Sequence, residues 1–456
     1  MQTKAGRKSF RIRLDEMVQS LRRDIVSGKL PIGGFLPSES DLEGQFHLSN
    51  NSVRKGLDIL VQEGLLEKIP RVGNRVLSPS PHATTVIKFG YHNTIGNQTE
   101  IADLIAKFHK LCPHIQVQPL ELPENSYSHA IEEYLEAGLL DVVMFNNNSF
   151  QDFVENGSTG LLEPVDIGAD IPRFLQEPFI HNGRSLAYPF IYSPVILCYH
   201  RGHLQEKGVP EPDSSWSWDD LLRHVKQLAV KNERFGFYFH LQSRNRWPVF
   251  LLQSGLSLPV AADSDRTGLE ERLKTSLEMC RELLASSEDS PMALSEADAE
   301  SLLQREKVSV MMTTYFFLNA LKRSDLPFDV APLPALYNSN TLLLVVGLAM
   351  NSKSSCKEAA GRFVQFLTSY ETQLFIRQHT LNIPAHSRVA EWRGTEHLNR
   401  PSRFSMYREI IPTYRSLSDL GVSNAKLRDI QREVMLYVSG LQDSHTLCGH
   451  IWQLLK

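Results

Sequence analysis

Apolar positions along the chain follow two periods, and the change comes near residue 77. Leu14, Met17, Val18, Leu21 and Ile25 share one helical face, which Gly28 stops. Val53, Leu57, Leu60 and Val61 form a second inward stripe of helical spacing, with Gly64 as a plausible C-cap. Residues 65–69 and 75–77 then predict two short strands around a turn at Pro70-Arg71-Val72-Gly73-Asn74. Ser78-Pro79-Ser80-Pro81 breaks the pattern and reads as a linker. From Thr84 strands and helices alternate: strands at 86–91, 115–117 and 141–145, helices at 100–110 and 126–138. That order predicts a parallel sheet, whose ligands bind beyond the carboxyl ends of the strands. Later strands are expected at 195–199, 235–241, 308–312 and 341–350, with helices at 218–230, 269–284 and from 356 onward. The pattern divides the chain into an arm (1–12), a head (13–77), a linker (78–83) and a body (84–456).

The head carries helix punctuation at close spacing. Ser38 precedes a short helix with Asp41 in its first turn, close to a capping box. Ser49 precedes the next helix, and His47-Leu48 leaves room only for a turn. That is the spacing of a helix-turn-helix, and the hairpin behind it completes a winged helix. Asn50, Asn51, Ser52, Arg54 and Lys55 occupy the first two turns of the second helix, where base edges and phosphates are met. Arg71, Gly73 and Arg75 sit in the wing. The predicted DNA-binding set is therefore Ser38, Ser49, Asn50, Asn51, Ser52, Arg54, Lys55, Arg71, Gly73 and Arg75.

Ser27-Gly28-Lys29-Leu30, Leu36-Pro37-Ser38-Glu39 and the run from Ser49 to Leu57 resemble the GntR family of bacterial repressors. Ser40 and Asn50 stand where that family usually has arginine, and Arg75 where it has the second wing glycine.

Charge supports a divided chain. Residues 1–78 hold 13 Lys+Arg against 9 Asp+Glu, and the remainder 35 against 43, so a head near +4 joins a body near −8. The basic part suits contact with phosphate. Cys112, Cys198, Cys280, Cys356 and Cys448 are scattered, odd in number and without a CxxC, which reads as reduced thiols. The N-terminal 13 residues lack the apolar run of a signal peptide, and no apolar stretch approaches the ~18 residues of a membrane span. The expected setting is cytoplasmic, with no membrane partner.

The body resembles the sugar-binding solute-binding proteins of ABC importers, the maltodextrin-binding group. The residues that carry the likeness are the run 101–108 with Pro113, Asp141-Val142-Val143, Tyr188-Pro189-Phe190, the run 194–200, Trp216-Ser217-Trp218-Asp219-Asp220, the run 307–311 and the run 359–369. The resemblance implies an α/β two-lobed, type II periplasmic-binding-protein-like clamshell behind an N-terminal winged helix-turn-helix domain. It also implies where a ligand would bind. Tyr91 and Asn93 follow the first strand, Phe145, Asn148 and Ser149 the third, and Ser193 takes the place of a carboxylate. Ser243, Asn245, Arg246 and Trp247 resemble the family's second-lobe sugar loop, and Thr314, Tyr315 and Phe317 fall where a stacking tryptophan is common. Aromatic faces for sugar C–H surfaces and polar groups for hydroxyls are what such a site needs.

No HExxH, GxSxG or P-loop is present, the sixteen histidines show no metal spacing, and no catalytic pair of carboxylates stands out. No cofactor, metal or enzyme activity is expected. Two rival readings stay open. One is a pyridoxal-phosphate aminotransferase-like body, for which Ser352-Lys353-Ser354 is superficially suitable, though the arginine and glycine that should follow are absent. The other is a degenerate body that binds no small molecule and serves dimerisation. The favoured reading is a ligand-responsive, homodimeric transcriptional regulator of a pseudo-palindromic double-stranded DNA operator, with an oligosaccharide as ligand.

Overall fold

The computed structural model describes residues 13–14, 17–18, 20–22, 24–25, 29–62, 64–70, 72–77, 84–122, 127–258, 266–285, 301–394 and 398–455. Arg71, the 1–12 arm and the 78–83 linker lie outside the described residues. The chain divides into two compact units, residues 1–86 with 109–116, and residues 87–108 with 117–456.

In the first unit, helix α1 (Glu39–Phe46) leads into α2 (Asn50–Gln62), and strands β1 (Leu66–Ile69) and β2 (Gly73–Val76) pair antiparallel as the wing. Helical residues between 13 and 25 supply the third wall of the core. Met17, Val53, Leu57 and Leu60, from the stripes expected from the sequence, are fully buried together with Leu42. Gly56 lies where α2 meets that third wall. A Cβ there would stand 2.2 Å from Met17 Cε and 3.1 Å from Leu14 Cδ1, so the crossing depends on a bare backbone. Phe35 bridges Arg75, and Gly33, Gly34 and Leu36 exchange backbone hydrogen bonds with Asn74 and Val76, which adds a third edge to the wing.

In the second unit one mixed sheet runs through both lobes. Its strands are β3 (Thr85–His92), β4 (Ile115–Leu122), β5 (Val142–Asn146), β6 (Tyr188–His200), β7 (Phe235–Tyr238), β8 (Val308–Thr314), β9 (Phe328–Ala331) and β10 (Thr341–Met350). The main path is β4-β3-β5-β10-β6-β8-β7, with β9 beside β6. The parallel pairing expected between β3 and β5 is present. Beyond it the sheet turns antiparallel at β10 and β6, which the alternating pattern did not disclose. The cause is β6: Tyr188-Pro189-Phe190 and the strand expected at 195–199 are one 13-residue strand. Its first half pairs with β10 and its second half with β8 and β9, so a single strand joins the lobes.

Helices cover the sheet. α3 (Ile101–Leu111) buries Ile101, Leu104, Ile105 and Phe108, the face its spacing predicts. α4 (Tyr127–Glu136) and α5 (Asn147–Glu155) flank β5, and α6 (Trp218–Leu228) starts in a capping box between Ser217 and Asp220. α7 (Pro248–Ser254) follows the 243–247 loop, α8 (Arg266–Ala285) packs on it, and α9 (Lys357–Thr368) lies on β10. The last two helices, α10 (Asn424–Val438) and α11 (Ser444–Leu455), return to α8 and α5.

Candidate functional site

The DNA-reading face begins with two caps. Ser38 Oγ accepts the Asp41 N–H at 3.2 Å, and the Asp41 carboxylate accepts the Ser38 N–H at 3.1 Å, which fixes the start of α1. His47 ends α1 in the left-handed region (φ 52°), and its N–H donates to the Glu43 carbonyl. Leu48 is buried behind the turn, and Ser49 opens α2 with its Oγ 2.7 Å from Ser52 Oγ. Ser52 is thus turned inward and buried, while Asn50, Asn51, Arg54 and Lys55 are exposed on the outer face. Arg54 Nε donates to Glu39 Oε2 at 2.7 Å, which ties α2 back to α1. In the wing, Gly73 is exposed and adopts φ 138°, a conformation side-chain-bearing residues rarely take. Arg75 pairs with Glu67 at 2.6 Å across the hairpin. Every carboxylate in these pairs competes with phosphate for the same guanidinium.

In the body, three contacts draw separate segments into one place. Asn148 Nδ2 donates to Asn245 Oδ1 at 2.7 Å, so α5 meets the 243–247 loop. The Arg246 guanidinium lies 5.0 Å from the centre of the Phe317 ring, so that loop meets the segment after β8. Ser193 Oγ accepts the Tyr315 N–H at 2.8 Å, so β6 meets the same segment. Ser243, Asn245 and Arg246 are linked locally, Asn245 N–H to Ser243 Oγ (3.2 Å) and Arg246 Nη1 to the Asn245 carbonyl (3.0 Å).

Several expected ligand residues are packed into the core instead. Phe145 is fully buried, stacked with Phe150 at 5.9 Å and Phe153 at 5.7 Å and edged by Phe179, so neither of its faces is open to a sugar. Tyr315 is fully buried between Phe404 and Tyr407, its hydroxyl donates to the Phe404 carbonyl, and burial pushes its pKa well up. Trp247 is buried to 1% exposure, Ser149 serves the Asn146 cap at the start of α5, and Tyr91 is tied to Glu121. The side chain of Asn93 lies outside the described residues.

Other residues at this place carried no sequence signal. Asn424 at the start of α10 donates to the Asn148 carbonyl and to Asp152 Oδ1, both at 2.8 Å, and its own N–H goes to Glu155. Arg428 reaches Asp152 at 3.4 Å, and Gln431 donates to the Gln242 carbonyl at 2.7 Å. α10 therefore touches both sides of the constellation. Arg244 sits beside them, and burial holds its guanidinium below the ordinary value, with Arg428 adding to the shift and Asp152 and Glu155 opposing it. Ser423 caps α10, its Oγ accepting the Lys426 N–H at 3.2 Å.

A second cluster brings together three side chains of metal-ligating type. His200, His203 and Glu306 converge, with Glu306 Oε2 3.6 Å from His200 Nε2 and 3.9 Å from His203 Nε2. His200 Nδ1 accepts the His203 N–H at 3.0 Å as a helix cap. Its lone pair is committed there, so a neutral His200 carries its proton on Nε2, facing Glu306 and unable to ligate a metal from that atom. Burial holds the His203 pKa down to about 4.

Among the described residues no helix is long and apolar enough to cross a membrane. Comparison with known proteins now adds the family. Bacterial regulatory proteins of the gntR family match residues 14–76, and the family of bacterial extracellular solute-binding proteins matches residues 103–396. The chain belongs to the bacterial extracellular solute-binding protein family. Its head is a gntR-type regulatory domain, so the chain fuses the two. No curated protein sequence matches it. Among solved structures it is similar to a maltose-bound protein, MalE3, of T. maritima (18% identity, 81% of this chain and 99% of that one, TM-score 0.70). It is also similar to a substrate-binding protein of Listeria monocytogenes in complex with cycloalternan (17%, 81% and 97%, TM-score 0.67). A maltotriose-binding protein of Thermus thermophilus aligns likewise (16%, 81% and 98%, TM-score 0.65). At these identities the likeness establishes the two-lobed fold of the body.

Proposed function

We propose that this solute-binding-protein homologue works in the cytoplasm as a ligand-responsive transcriptional regulator whose body senses a sugar or oligosaccharide. The observation that carries the reading is the outer face of α2. Asn50, Asn51, Arg54 and Lys55 contribute nothing to the core of the head and present hydrogen-bond donors and positive charge where a winged helix enters a major groove. Two heads of a homodimer would read a pseudo-palindromic operator with half-sites about one helical turn apart. The names of the structural neighbours, bound to maltose, maltotriose and cycloalternan, support a carbohydrate as the body's ligand. A ligand alters operator affinity only through its different affinity for two states of the chain.

A second reading, a body that binds no solute and serves only association, is favoured by the Asn148–Asn245 bond and by the buried state of Phe145 and Tyr315. One experiment separates the two. The full chain is titrated against a duplex selected in vitro, with and without an oligosaccharide that raises its melting temperature. Sensing predicts a change in duplex affinity of about 5- to 150-fold. A ligand that stabilises the chain yet leaves the affinity unchanged refutes the coupling, and a chain that no sugar stabilises favours the association module.

A further inference from the structure

We infer that Asn51 is a base-reading residue of the head, and that the base it selects is an adenine in each operator half-site. The inference rests on the DNA-reading role proposed above and adds the base that α2 prefers. It starts by elimination. Ser49, Asn50, Asn51 and Ser52 are the uncharged polar residues at the start of α2. Ser49 and Ser52 are spent on each other, their hydroxyl oxygens 2.7 Å apart, and Ser52 is only 5% exposed. Asn50 and Asn51 are exposed, and neither side-chain amide is bonded to any described residue. Asparagine is among the weaker helix formers, so two in succession cost the helix a little and return nothing to the packing of the head. What they gain lies outside the chain.

Helical geometry separates the two. Successive residues turn about 100° around the axis. Val53, Leu57 and Leu60 are fully buried and mark the inner side of α2. Asn51 falls on the side away from them, and Lys55 and Asp58 continue its row one and two turns on. Asn50 falls on the flank it shares with Arg54, which reaches across to Glu39 of α1. In a helix-turn-helix the first turns of the second helix meet base edges while the first helix crosses the backbone. Asn51 therefore faces the floor of the groove, and Asn50 faces the phosphates beside α1. The Asp58 carboxylate, paired with Lys68 of β1, limits the reading row to its first two turns, because a carboxylate repels phosphate.

The chemistry of the amide then names the base. A primary amide offers an acceptor oxygen and a donor NH2 side by side. In the major groove adenine offers N7 as acceptor and its N6 amino group as donor, so both ends of the amide are met at once. Guanine offers two acceptors there, which suit Arg54 or Lys55 and leave the amide oxygen without a donor. Cytosine offers a donor and thymine an acceptor, and each meets one end of the amide only.

The test uses the full chain and a duplex obtained from a random-sequence library by rounds of binding. Each half-site should hold an adenine whose exchange for guanine, with its pairing partner changed to match, weakens binding about 5- to 150-fold. Replacing that adenine by 7-deazaadenine, which removes N7 and keeps the base pair, should weaken it about 2- to 12-fold, the worth of one hydrogen bond. Asn51→Ala should bind the selected duplex about 5- to 150-fold less tightly and be indifferent to both exchanges. Its melting temperature should match that of the parent chain, because the side chain is exposed. Asn51→Gln, which keeps the amide, should keep the preference for adenine. Asn50→Ala should weaken binding to all duplexes alike, as loss of a phosphate contact does. An Asn51→Ala variant that still tells adenine from guanine, or a selected half-site with no adenine among its indispensable bases, overturns the inference and leaves DNA reading standing. A base preference that vanishes in Asn50→Ala instead also overturns it. A chain that selects no duplex overturns the DNA-reading role as well.

Discussion

The outer face of α2 and the 243–247 loop use the same side chains for opposite ends. On α2, Asn50, Asn51, Arg54 and Lys55 point to solvent and wait for a partner from outside. In the loop, Asn245 bonds Asn148 and Arg246 lies beneath the surface against Phe317. Asparagine and arginine are equally polar in both places. The difference is what the rest of the fold supplies. The head's core is complete without the polar face of α2, so that face stays open to solvent. The loop is enclosed by α5, the segment after β8 and α10, so its polar groups are met by the protein or by what the protein encloses. A polar surface offers itself to any complementary partner, whereas an enclosed polar site selects one.

The strongest challenge to this contrast is at Phe145. If the ring is core, Phe145→Ala should cost about 3–5 kcal/mol of the body's stability, because three neighbouring phenylalanines lose a packed partner. If the ring instead serves a ligand, stability should hold and only ligand binding should fall. Chemical denaturation followed by tryptophan fluorescence decides between them.

That ambiguity shows how far the sequence could be read. Caps and stripes in the head are local: Ser38 with Asp41, and Val53 with Leu57 and Leu60, signal their roles within one or two turns. The caps and apolar stripes of the head were therefore legible, while Ser52, expected on the DNA-reading face, turns inward to Ser49. The body's elements were legible too, but beyond the parallel β3–β5 pair its pairings were not. Pro189 and Pro194 lack N–H donors and read as strand breakers, yet β6 runs through both. Phe145 closes a strand, where a stacking aromatic and a core aromatic look alike, and only Phe179 and α5 reveal which it is. The partners of Asn148 come from residues 245 and 424, far beyond any local signal.

A middle-sized effect is expected at the exposed face. The double substitution Arg54→Ala, Lys55→Ala should weaken binding to the selected duplex by about 1–3 kcal/mol for each side chain that meets a base edge. It should also flatten the salt dependence, by roughly 0.7–0.9 in the log–log slope for each phosphate no longer neutralised. Anisotropy titrations across a salt series measure both. An unaltered slope would show that this pair does not meet the phosphates and would undo the assignment of α2 as the outward partner.

The smallest effect sharpens the contrast most, because it changes a neighbour of the reading face and not the face. Glu39 accepts from Arg54 at 2.7 Å, and the side chains are 30% and 60% exposed. At that exposure the pair contributes about 0–1 kcal/mol, so Glu39→Gln should barely move the melting temperature of the head. The carboxylate nevertheless stands beside a guanidinium that phosphate would otherwise take, and it repels the duplex. Its removal should tighten duplex binding, with the largest gain at low salt and a fading gain as screening sets in. No comparable gain is expected from removing Asp152, which holds Ser128, Asn424 and Arg428 in place. A carboxylate beside an outward site acts as a competitor, whereas a carboxylate beside an enclosed site acts as a support. If Glu39→Gln weakened binding, Glu39 would be positioning Arg54 for DNA, and the head would be using its acids as the body does.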